Sequence, residues 1–231
     1  MSVKVIFSTE NEVTNALFKP VPIKSVFPKW YKELGAEISN CPLTKASSYI
    51  NGTAKRTAKA CIPLRDYMSS GYLLVTQGDI VINADVGVDN FSYYHTNYAM
   101  SDPHFHEQLP LIVDGEPKKY IKFGNDWTIT TPSGYSCLFY PPEMFFEDRF
   151  RVLPGIVDTD VYDTPVLFPG ILLKEGDYII KAGTPLVCVF PFKRENYTHE
   201  CHFEERKKRT NLTAFLYDAY LRIFHHKKHY D

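Results

Sequence analysis

Three aspartates, Asp158, Asp160 and Asp163, fall within six positions of the stretch GIVDTDVYDTPVLFPG at residues 155–170. Carboxylates grouped this closely can supply a catalytic acid or base. The same short polar side chains also hydrogen-bond the backbone of tight turns between strands. The two readings predict different surroundings: a catalytic site needs a reachable, unengaged carboxylate, whereas a turn consumes it.

A second group lies in HFHEQLP, where His104 and His106 alternate. On a strand this spacing puts both imidazoles on one face, with His95 nearby in sequence. Cupin-like barrels present two metal ligands in this way, and imidazole suits iron, zinc or manganese. The pattern here is incomplete. Glu107 follows His106 directly and so points to the opposite face, and no histidine occurs between His106 and His199. Hydrogen-bonded or surface histidines beside Pro103 and Pro110 are the competing reading.

The third group is THECHFEE, with His199, Cys201, His202 and Glu204. Structural zinc takes four ligands, usually from two separated pairs, and the second pair is missing. A solvated linker is the expectation. The five cysteines, Cys41, Cys61, Cys137, Cys188 and Cys201, form no C-x-x-C pair, which argues against a disulfide framework and for a reducing compartment. Cys137 and Cys188 lie in apolar runs, where a thiol behaves as a small buried hydrophobe. No nucleophile elbow, Walker loop, dinucleotide fingerprint or H-E-x-x-H is present.

These groups must be positioned by the elements around them. The chain has 231 residues, 44% hydrophobic and 15% aromatic, with 16 Tyr and 16 Phe, a composition that favours strands and leaves little room for disorder. Twenty-six basic residues against 27 acidic ones give a formal net charge of -1, which removes the positive field of a general nucleic-acid binder. The N-terminal MSVKVIFSTENEV lacks a secretory core, and no apolar run approaches the ~20 residues of a membrane span. A soluble protein held inside a cell is expected.

Residues 1–60 read as an irregular N-terminal arm punctuated by Pro20, Pro22, Pro28 and Pro42. Its one helical signal is FPKWYKELG, with Trp30 and Tyr31 as anchors onto the main body. Asn51-Gly52 is a hairpin signal. Residues 61–195 are expected to be a core of many short strands bounded by Gly, Pro, Asn or Asp, hence a sandwich, barrel or roll. In 196–231 helical periodicity returns: Leu212, Phe215, Leu216, Ala219, Tyr220, Ile223 and Phe224 share one face of a C-terminal helix, with HHKKHYD at its basic end.

The segments Pro132–Tyr135, LFYPPE, Gly155–Asp160 and IIKAGTPLVCV follow one another in the layout of the trimeric dUTPase family and its β-clip relatives. This quarter of the chain resembles that family. The resemblance implies a β-clip fold and a trimer, with Asp158, beside Asp160, orienting and deprotonating a water near a Mg²⁺-bound triphosphate. It also implies a sugar platform at Tyr162, with Tyr135 in the entry strand. Several departures oppose the chemistry. Tyr162 is shifted by one residue, Pro142 and Glu143 stand where the family has phosphate-holding Arg-Ser-Gly, Cys188 replaces a glutamine, and no glycine follows Gly183 to form a phosphate-closing arm. FPKWYK, PSGYS, GIVDTDVYD, GTPL and PFKRE together also resemble an uncharacterised family of tailed-bacteriophage, marine T4-like proteins, which implies a virion or host-cytoplasm location.

The expectation is therefore a mainly β, dUTPase-like β-clip or roll that has kept a scaffold and lost a reaction. Its function would be that of a non-enzymatic phage structural or accessory protein, a homo-oligomer with a trimer as first guess, contacting itself and other virion proteins. It would need no cofactor. The alternatives are a nucleotide pyrophosphatase using Asp158 and Mg²⁺, and a metal enzyme using His104 and His106.

Overall fold

The computed structural model describes residues 3–36, 57–84, 92–95, 101–104, 112–113, 116–117, 119–203, 225–227 and 229–230. The chain divides into two units, one of residues 1–23 with 71–194 and one of residues 24–70 with 195–231. This division cuts across the expected arm, core and tail. Residues 3–23 belong with the β unit because two of their strands pair into it, and the rest of the arm groups with the C-terminal residues.

The first unit opens with β1 (Ile6–Ser8), α1 (Glu12–Leu17) and β2 (Val21–Pro22). The expected irregular arm is thus partly ordered. Asn11 caps α1, its Oδ1 accepting from the amides of Val13 and Thr14 at 3.0 and 3.1 Å. Asp126 holds the same turn from outside, accepting from Asn11 Nδ2 at 2.8 Å and Thr14 Oγ1 at 2.7 Å.

After residue 70 come β3 (Tyr72–Val75), β4 (Ile80–Ala84), β5 (Ser92–His95), β6 (Ser101–His104), β7 (Ile112–Val113) and β8 (Glu116–Pro117). They are followed by β9 (Lys119–Phe123), β10 (Thr128–Thr130), β11 (Tyr135–Tyr140), β12 (Phe150–Val152) and β13 (Gly155–Val157). The last three are β14 (Phe168–Leu172), β15 (Gly176–Ile180) and β16 (Pro185–Lys193).

Among the described residues all pairings are antiparallel. They form a five-stranded sheet β13-β11-β16-β3-β2, a four-stranded sheet β12-β14-β9-β6, a three-stranded sheet β15-β4-β5, and the pairs β1-β10 and β7-β8. The fold is mainly β, and among the described residues no sheet closes into a barrel. The stretch FRVLPGIVD holds two strands, β12 and β13, in different sheets, because Pro154 between them cannot continue a ladder as a donor.

One core joins the larger sheets. Leu74, Cys137, Phe139, Val187 and Val189 come from the five-stranded sheet, Ile121, Phe123, Phe150, Val152, Phe168 and Leu172 from the four-stranded one, and Ile80, Ile82 and Ile180 from the three-stranded one. Phe139 meets Phe168 with ring centroids 5.4 Å apart, which fixes the first two sheets against each other. Strand alternation puts Ile121 and Phe123 of β9 on the core face, and Tyr120, on the opposite face, is buried as well.

The second unit contains α2 (Lys29–Glu33) and α3 (Ile62–Ser69). The helix expected from FPKWYKELG is present. Tyr31 packs within its own unit, against Phe27 and Trp30 at 5.2 and 5.5 Å between centroids. Lys59 Nζ donates to the last carbonyls of α2, Lys32 at 3.3 Å and Leu34 at 3.0 Å, in the usual place for a cation at a helix C-terminus. Residues 62–69, expected to begin the strands, are helical instead. Pro63 sits in the first turn, where its fixed φ costs nothing, and Ile62 and Met68 are buried.

His225 reaches both carboxylate oxygens of Asp66 on α3, at 3.1 and 3.0 Å. Asn51-Gly52 and the C-terminal apolar stripe lie outside the described residues. No helix among the described residues is long and apolar enough to cross a membrane.

Candidate functional site

Strand register brings the aspartate cluster to the start of β11. Cys137 faces Val157, so Asp158 emerges from β13 beside Ser136. On the other side Tyr135 faces Lys193, and the next residue, Arg194, donates its amide to Gly134 O at 2.8 Å. Three chain segments meet there: the turn before β11, the turn after β13 and the end of β16.

The turn before β11 is a tight one, closed by the Tyr135 amide on Pro132 O at 3.1 Å. Gly134 occupies its third position with φ +82°, a value that a residue with a Cβ adopts only under strain. That conformation aims the Gly134 amide outward, and Asp160 Oδ2 accepts from it at 2.8 Å.

Arg194 completes the arrangement. Its Nη2 bonds Asp160 Oδ2 and its Nη1 bonds Asp160 Oδ1 at 2.8 Å, a two-pronged carboxylate contact. Nη1 also reaches Tyr135 O at 3.0 Å, Ser136 Oγ at 2.9 Å and Asp158 Oδ1 at 3.2 Å. Ser136 Oγ in turn donates to Asp158 Oδ1 at 2.7 Å.

The Asp160 side chain is only 5% exposed, while that of Asp158 is 57% exposed. Hydrogen bonds from Arg194, and then from the Gly134 amide, hold the Asp160 carboxyl down at about 2. A carboxylate so acidic is a poor proton acceptor at neutral pH. The reciprocal effect raises the Arg194 pKa.

Below this surface lies a buried polar seam. Thr131 and Thr159 share a hydroxyl hydrogen bond of 2.7 Å, and Thr159 Oγ1 donates to Cys137 Sγ at 3.4 Å. Burial pushes the Cys137 thiol up, and that of Cys188 up to about 12, so neither is a nucleophile at neutral pH. The turn after β13 closes locally, the amides of Val161 and Tyr162 donating to Asp158 O at 3.1 and 2.9 Å.

The residues named from sequence fall into separate fates. Asp158 and Asp160 are brought together; Asp163 is exposed beyond the turn. Tyr135 contributes its carbonyl to Arg194, and Tyr162 is 45% exposed. His104 belongs to β6 by its backbone, while His106 lies outside the described residues. From Lys193 through Phe203 every residue is exposed, and within the histidine-cysteine group there His202 Nε2 meets Glu200 Oε2 at 2.9 Å. Among the described residues no group of three or more His, Cys, Asp or Glu could hold a metal ion.

Sequence reasoning missed Arg194, Ser136 and Thr159. Arg194 stands two positions after Phe192, at the end of the longest strand, but only the β11–β16 register reveals that this position faces the aspartate turn.

No family model matches the chain, and no curated protein matches it either. Among solved structures, one described as native EIAV dUTPase is similar over 59% of this chain and 86% of that chain, with 11% identity and a TM-score of 0.34.

Proposed function

We propose that this chain is a non-enzymatic, self-associating β protein, a structural or accessory component of a tailed-phage virion built on a β-clip-like scaffold. The observation that carries the non-enzymatic part is the two-pronged Arg194–Asp160 contact. Arg194 is spent on joining strand ends, and the carboxylate it grips is too acidic to act as a base. Exposed apolar side chains on the same unit support the self-associating part, since Ile156 on the edge strand β13 is 63% exposed and Val161 is 77% exposed. The virion assignment and the trimer follow from the motif resemblance.

One observation favours a second reading, a divergent nucleotide pyrophosphatase using Asp158 and Mg²⁺: the Asp158 carboxylate reaches solvent. Its Oδ1 is already engaged by Ser136 and Arg194. Isothermal titration of the intact chain with dUTP and Mg²⁺ separates the readings. No heat of binding is expected; saturable binding lost in Asp158→Asn would favour the pyrophosphatase.

A further inference from the structure

We draw no further inference here: the strongest candidate, the exposed stretch of residues 195–203 that follows β16 and projects Tyr197 and Phe203, carries nothing because nothing in the structure shows what covers it.

Discussion

Asp160 and Arg194 turn an apparent catalytic motif into a fastening. The carboxylate accepts from an arginine fork and from the amide that Gly134 exposes by its positive φ, so its charge is stabilised in the folded chain and not in the unfolded one. Because the folded value is depressed, the contribution is complete above the ordinary carboxylate value of about 4. It is lost as pH falls through that value toward about 2. Thermal melts across this window should therefore show a steeper acid loss for wild type than for Asp160→Asn, which lacks the titrating group and is less stable at neutral pH. Parallel curves would mean that the fork contributes nothing. At the same scale the sequence reading of Cys137 and Cys188 as inert hydrophobes agrees with their burial. The engagement of Asp160 and the exposure of Asp158, by contrast, could not be told apart by sequence, since the two aspartates are two positions apart and only the partner across the sheet distinguishes them.

At the scale of elements, β3 and β16 come unusually close where Gly71 precedes β3. Its φ is +82°, and an added Cβ would lie 2.2 Å from the Val189 carbonyl oxygen. Gly71→Ala therefore combines left-handed strain with a backbone clash, and denaturant unfolding should show a loss of more than about 2 kcal/mol. A loss near zero would mean that the two strands separate freely. Much of the strand content was legible because alternation and Gly, Pro and Asp boundaries mark β9, β11, β14 and β16 directly. Helices α1 and α3 were not. The first has six residues and the second eight, too short for a helical period to stand out, and each begins with a local device, the Asn11 cap or Pro63, that also reads as a turn. Pairing order was equally hidden, because β13 and β12 are neighbours in sequence but belong to different sheets.

At the scale of the whole molecule, strand ends of the β unit converge on a carboxylate turn, and the arginine that follows β16 closes it. The apolar core behind this turn is assembled from three sheets, and buried polar residues, among them Thr131, Ser136 and Thr159, lie beside the turn. The most direct test of the central claim is a turnover assay of the purified chain with deoxynucleoside triphosphates and Mg²⁺, following pyrophosphate release. The account predicts the same rate for wild type, for Asp158→Asn and for buffer alone. Release by wild type that disappears in Asp158→Asn would contradict it.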